Sequence, residues 1–297
     1  MVTTGIGRSA SPAARLDGVR SMLFVPAGRE KLVASAARRS CDGFILDLED
    51  GVPADGKDHA RQMLSANATE LKKTGALVGV RVNRPWTLML KDLEATVAAS
   101  TDFVMLPKIE APHEIEVVGE MLDELEAGTG VGRILITQIE TATGICNMPE
   151  IARAKGARHA AMMLGPEDLA LDLNALPNRA VMQPLGQSLV VAARSGGLVP
   201  VGSPGSVSET KDMQAYREQI LLAKEMGFGM VVAIHPTQLD VIHAVFQPTA
   251  AEAEWAKAVV AANEAAGGKP FLFEGRMVDA PIVARARSVL RSVPTPA

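Results

Sequence analysis

Residues 134–144 read ILITQIETATG, an apolar run that ends at Glu140 and then breaks at a Thr-Ala-Thr-Gly turn. A carboxylate at the exit of a buried strand costs free energy unless a cation, a hydrogen-bond network or a bound molecule meets it there. About thirty residues on, MMLGPEDLALD (162–172) has the same build, with Met162–Leu164 running into Gly165-Pro166-Glu167-Asp168. Two acids at the ends of successive strands point to a shared cation, and to a fold that aligns strand ends of one polarity.

Working outward, short runs rich in Val, Ile, Leu and Met alternate with segments of helical period. The runs are 21–26, 43–50, 77–83, 102–108, 133–140, 159–165, 197–203 and 230–236. Helices are expected near 30–39, 58–73, 87–99, 112–127, 149–156, 179–195, 208–226 and 237–245, with a ninth at 250–265. From Pro26 to His235 the strand ends recur every 30 residues or so, the size of a βαβ unit, and eight such units make a (β/α)8 TIM barrel. A doubly wound sheet has fewer units and a Gly-rich first turn, and no GxGxxG follows the first strand here. The expected organisation is a flexible lead over 1–18, a TIM-barrel catalytic domain over 19–248 and a C-terminal helical extension and lid over 249–297, with the tail after Ser292 fraying.

Strand polarity supplies the next clue. The period of two puts Asp47 and Glu49 on one face of their strand and Leu46 and Leu48 on the other. It likewise pairs Arg81 with Asn83, Gln138 with Glu140 and Ala233 with His235. The polar residues gather at the C-terminal strand ends, the active-site face of a TIM barrel, whereas the N-terminal ends read as plain.

Composition excludes several classes. Thirty basic against 34 acidic residues give a net charge of −4, with no basic stripe for nucleic acid. Cys41 and Cys146 form neither a CxxC motif nor a disulfide framework, so a reducing cytoplasm is the expected home. No signal-peptide core and no run of 18 apolar residues occurs, so no membrane segment is expected.

Glu140 and Asp168 are the metal candidates, since Mg²⁺ takes one or two carboxylates and completes its shell with waters and substrate oxygens. The competing reading makes each a helix cap, Glu140 before its Thr-Ala-Thr turn and Asp168 before 169–173. Arg81 suits a bidentate grip on a carboxylate, or an internal ion pair with Asp47 or Glu49. Lys108 raises a Schiff-base nucleophile against a solvated loop residue. His235 is weighed as a structural histidine, Arg29 and Lys31 as phosphate contacts or a solvated helix start, and Asp279 as the N-cap of a helix with Pro281 in its first turn.

The set RSMLFVPA, DGFILDLEDGV, VRVN, LPKIE, IETATG, GPEDLALDL, IHPTQ and GRMVDAP, in that order over about residues 20–290, resembles the citrate lyase β-subunit-like group of the HpcH/HpaI aldolase superfamily. The resemblance implies a TIM barrel assembled as a homotrimer or hexamer, binding Mg²⁺ and acyl-CoA thioesters. It implies Glu140 and Asp168 as metal ligands, Arg81 as the clamp on a 2-oxo-acid carboxylate, and Glu49 as the acid behind a metal-bound water. By the same resemblance, backbone around Glu167 touches that acid, Ile234 and His235 meet the thioester, and Asp279 acts as a proton-transfer group reaching a neighbouring subunit. The chain departs from the pattern at Pro26-Ala27-Gly28-Arg29 and at 201–206, both at the mouth of the expected barrel.

The expected activity is a Mg²⁺-dependent lyase acting on a short 3-hydroxyacyl-CoA such as citramalyl-CoA or malyl-CoA to give acetyl-CoA and a 2-oxo acid. The alternatives are a metal aldolase on free 2-oxo acids, a malyl-CoA thioesterase or malate-synthase-like enzyme, and an acyl-carrier-dependent β subunit of a citrate lyase complex.

Overall fold

A computed structural model describes residues 11–129, 132–208 and 210–291. Eight parallel strands are β1 (Ser21–Pro26), β2 (Gly43–Asp47), β3 (Leu77–Arg81), β4 (Phe103–Leu106), β5 (Ile134–Ile139), β6 (His159–Leu164), β7 (Val199–Val201) and β8 (Val231–Ala233). Their order is β7-β6-β5-β4-β3-β2-β1-β8, so each lies beside its neighbour in sequence and β8 returns to β1. The seam between β7 and β8 closes through a Val201–Met230 bridge, with Gly202 N–H donating to Met230 O at 3.0 Å. This is the expected TIM barrel. Buried on both faces, β2, β4, β5 and β6 have no solvent-facing position, which is why they read as apolar runs rather than alternating ones.

Helices α1 (Glu30–Ala36), α2 (Lys57–Lys72), α3 (Trp86–Ala98), α4 (Pro112–Leu125), α5 (Ala142–Ile151), α6 (Pro166–Asp172), α7 (Arg179–Ser195), α8 (Met213–Met226) and α9 (Thr237–Phe246) follow the strands. In α2 the buried residues Ala60, Leu64, Ala68 and Leu71 recur at helical spacing, one apolar stripe toward the sheet. Inside the barrel Met22, Ile45, Phe103, Met105, Ile136, Met163 and Val232 pack in layers. Gly79 is required there: a Cβ on it would lie 2.2 Å from the Phe103 ring.

Four expectations need correcting. The flexible lead does not extend to residue 18, because Pro12–Leu16 forms a 3-10 turn and Leu16 joins the barrel core at 3% exposure. Burying that leucine contributes roughly 2 kcal/mol, enough to hold the turn. Residues 1–10 and the tail from 292 lie outside the described residues. The helix expected at 149–156 instead spans 142–151, because Thr141 caps it by accepting from Gly144 N–H. The N-terminal strand ends are not plain. Arg20 pairs with Asp42, Lys72 with Asp102, and Arg133 and Arg158 with Glu126. β8 ends at Ala233, so the period of two that paired Ala233 with His235 does not reach His235, which lies in the turn before the helix at Thr237–Phe246.

The chain divides into two compact units, one ending at Ile242 and the other beginning at His243. The second contains α10 (Ala250–Ala265), a hairpin of β9 (Phe271–Phe273) and β10 (Arg276–Val278), and α11 (Ala280–Arg291). Ala256, Val259, Val278, Val283 and Ala286 form its own small core. The hairpin was not expected from sequence. Glu274 and Gly275 both have positive φ, +49° and +75°, the signature of a tight two-residue turn.

Candidate active site

The C-terminal strand ends bring together Asp47 at the end of β2 and Glu49 just beyond it, Arg81 at the end of β3, Lys108 after β4, Glu140 after β5 and Asp168 in the first turn of α6. Arg81 is the hub of one half. Its Nε and Nη2 donate to the two oxygens of Asp47, each at 2.8 Å, and its Nη1 lies 2.9 Å from Glu49 Oε2. Its guanidinium also stacks over Phe24, 4.8 Å from the ring centroid. The planar fork is therefore filled by Asp47, and only the outer Nη edge faces other partners. Both readings of Arg81 weighed from sequence named this location, and the internal ion pair is present.

Lys108 is the hub of the other half. Its Nζ lies 3.1 Å from Asp168 Oδ1 and 3.3 Å from Glu49 Oε1, while its backbone N–H donates to Glu140 Oε2 at 3.1 Å. Burial lowers the pKa of its ammonium, but Glu49, Asp168 and Glu140 outweigh that and hold it above the ordinary lysine range. Paired with two carboxylates, the ammonium serves as a cation of the cluster, which counts against the Schiff-base reading. The local sequence marked Lys108 only as a possible nucleophile, not as a partner of the acids. The signal is its reach across three strand ends, visible only once the barrel closes.

Glu140 is 2% exposed and caps no helix, since Thr141 does that. It accepts from Gln138 Nε2 at 3.1 Å as well as from Lys108. Burial first, then the charges of Asp168 and Glu49, push its carboxyl up to about 8, against Arg81 and Lys108, which lower it. Burial also raises Glu49. Gly165 makes room for Glu140: a Cβ there would lie 2.4 Å from its Oε1. Lys57 fixes the β2 exit by donating to the carbonyls of Leu48, at 2.5 Å, and Glu49, at 2.6 Å.

Four carboxylates (Asp47, Glu49, Glu140 and Asp168) thus meet two cations, Arg81 and Lys108. The carboxylates outnumber these cations, and Gln138 Oε1 is buried with no hydrogen-bond donor. An oxygen-seeking divalent cation fits both features. Among the described residues no three His, Cys, Asp or Glu side chains form a closed metal cage. An open site with Glu140 and Asp168 as its carboxylates matches the low ligand demand of Mg²⁺ rather than the full cage of a structural Zn²⁺.

The other sequence candidates have surroundings of their own. Glu167 is exposed and accepts from the Ser206 hydroxyl, so the departing 201–206 segment does touch the α6 start. Ile234 is 43% exposed, and its N–H, like that of His235, donates to Gln238 Oε1. The His235 ring is bonded to Thr237 Oγ1 at 2.8 Å. Arg29 and Lys31 are exposed at the start of α1. Asp279 belongs to the second unit, exposed, its carbonyl accepting from Val283 N–H.

The sequence profile of the HpcH/HpaI aldolase/citrate lyase family matches residues 20–236, the whole span from β1 to β8. The chain belongs to that family. Among its relatives within it, a (3S)-malyl-CoA thioesterase of Cereibacter sphaeroides is 33% identical over 277 residues, covering 91% of this chain and 93% of the relative. A citrate lyase subunit beta-like protein of Mycobacterium tuberculosis is 31% identical over 277 residues, covering 91% and 93%. The crystal structure of M. tuberculosis CitE in complex with magnesium, acetoacetate and coenzyme A superposes with a TM-score of 0.71 at 31% identity, over 92% of this chain and 98% of that one. Family membership accords with the strand-end cluster. No helix among the described residues is long and apolar enough to cross a membrane.

Proposed function

We propose that the chain is a Mg²⁺-dependent enzyme of short CoA thioesters, cleaving a 3-hydroxyacyl-CoA such as malyl-CoA or citramalyl-CoA to acetyl-CoA and a 2-oxo acid. The observation that carries this reading is the strand-end cluster of four carboxylates and two cations around the buried Glu140. Glu140 and Asp168 would hold the ion, and Mg²⁺ when bound supplies Lewis acidity toward a 2-oxo or 2-hydroxy acid. Arg81, locked by Asp47, presents its outer Nη edge as fixed positive charge toward the substrate carboxylate, which it stabilises without reorganising. Glu49, between Arg81 and Lys108, is placed to orient a water or accept a hydroxyl proton. When that proton leaves, the carbon–carbon bond breaks, its electron pair passes to the thioester as an enolate, and protonation there releases acetyl-CoA. Asp279 is the proposed proton donor, supported by its place in the GRMVDAP motif and its exposed carboxylate. Its test is Asp279→Asn, which keeps Mg²⁺ and oxo-acid binding and loses turnover. Arg29, Lys31, Ile234 and His235 are proposed along the CoA path, and the assembly as a homotrimer or hexamer.

The thioesterase relatives favour a second reading, in which water attacks the same thioester carbonyl and releases free CoA. One assay separates the two. With (3S)-malyl-CoA and Mg²⁺, a lyase yields acetyl-CoA and glyoxylate, whereas a thioesterase yields CoA and malate, and excess EDTA abolishes either. With no CoA or acetyl-CoA released from either (3S)-malyl-CoA or citramalyl-CoA, the CoA assignment falls, and the free oxo-acid aldolase or carrier-dependent subunit replaces it.

A further inference from the structure

Lys108 has φ +52°, the left-handed region that few non-glycine residues occupy. Its backbone is pinned on both sides: the N–H donates to Glu140 Oε2 at 3.1 Å, and the carbonyl accepts from Arg84 Nε at 3.2 Å, with Arg84 anchored by Glu114. The next residue, Ile109, donates to Gln138 O at 3.1 Å, tying the turn to β5. That conformation lets one residue address three strand ends at once. Its amide faces Glu140 after β5, while its ammonium reaches Glu49 after β2 and Asp168 at the start of α6. Strained backbone held by its surroundings is a feature of functional sites. Here it aims a single positive charge into a cluster whose carboxylates outnumber its cations.

We infer that Lys108 is the resident counter-cation of the metal site, its ammonium holding Asp168 and Glu49 in place until a divalent cation takes Asp168 and displaces it. This rests on the Mg²⁺ reading above and extends it. Two consequences have opposite signs. Without metal, the ammonium keeps neighbouring carboxylates from repelling one another, so its loss destabilises the chain. With metal, the same ammonium is both competitor and like charge at a few ångströms, so its loss tightens binding. A residue with a purely structural role would weaken both when removed.

The experiment is Mg²⁺ titration calorimetry together with thermal melting in EDTA and in Mg²⁺, on the full chain as wild type, Lys108→Met, Lys108→Gln and Lys108→Arg. The expected result is a lower melting temperature for Lys108→Met and Lys108→Gln in EDTA, with Mg²⁺ bound about tenfold more tightly and a larger upward melting shift on adding Mg²⁺. Lys108→Arg, which keeps the charge, stays close to wild type in both. A folded Lys108→Met or Lys108→Gln chain that binds Mg²⁺ no more tightly than wild type overturns the role of Lys108 and leaves the metal site standing. A wild-type chain that takes up no Mg²⁺ overturns the metal reading itself, and this inference with it.

Discussion

At the N-terminal end of the barrel the Glu126 side chain, 3% exposed, lies between two guanidiniums, Arg133 at 2.6 Å and Arg158 at 2.7 Å. Arg158 also pairs with Asp123, and the remaining Arg133 donors end on Val97 O and Thr101. Two acids meet two cations, and the donors left over find oxygen. At the C-terminal end Glu140, 2% exposed, receives only an amide N–H from each of Lys108 and Gln138, and like charges press on it from Asp168 and Glu49. Burial alone does not distinguish the two glutamates. What differs is charge balance: the first cluster is complete without any added group, and the second is completed by a divalent cation. Buried charges that are matched hold a structure, whereas those left unmatched at a strand-end cleft mark where chemistry is done.

Substitutions can break this contrast. The largest expected effect is from Glu140→Gln, which removes one proposed ligand and lowers Mg²⁺-dependent turnover by at least about a thousandfold, read by product release. The same substitution should alter pH dependence in the metal-free chain. The folded-state carboxyl at about 8 is raised above its ordinary 4.5, so ionising it disfavours the fold. The penalty is absent below 4.5, grows as pH rises toward 8, and reaches on the order of 5 kcal/mol as an upper bound. Urea unfolding in EDTA across that window should show wild type losing stability relative to Glu140→Gln, and parallel curves would remove the charge imbalance.

Next in size is Arg133→Met, which leaves Glu126 short of a partner at the N-terminal end and costs roughly 3 kcal/mol of stability while Mg²⁺ affinity stays unchanged. A drop in Mg²⁺ affinity would mean that the two ends are coupled. Gly165→Ala sharpens the comparison from the other side. Its Cβ displaces Glu140, so Mg²⁺ binding should weaken about tenfold, with a stability loss of about 1–2 kcal/mol. Smallest is Lys72→Ala, whose half-exposed pair with Asp102 should contribute less than about 1 kcal/mol by urea unfolding.

Much of the barrel was legible because each strand–helix unit repeats a local pattern. β1 and α7 were read to the residue, and the period of two placed Glu49, Arg81 and Glu140 at the C-terminal strand ends, while Asp168 was found as an acid following the β6 run. What escaped was set by contacts between distant residues. Lys108 looked like a loop lysine because its partners lie 59 and 60 residues away in sequence. Asp47 was read only as a partner in waiting for Arg81, while in the fold it fills the guanidinium fork. The N-terminal ion pairs were missed because Asp42 and Arg158 precede their expected runs and Asp102 and Arg133 open theirs, so each looks like ordinary polarity at a strand start. Leu16 was assigned to the lead because five residues of 3-10 turn carry no periodic signal. The Glu274-Gly275 turn between Phe271-Leu272-Phe273 and Arg276-Met277-Val278 was a hairpin signal in plain view.

The most direct test of the unmatched cluster is calorimetric titration of Mg²⁺ into wild type, Glu140→Gln and Arg133→Met. One Mg²⁺ per chain in wild type and Arg133→Met, with binding weakened at least about a hundredfold in Glu140→Gln, is the predicted result. Equal affinity in wild type and Glu140→Gln would contradict the assignment of Glu140 and the metal site built on it.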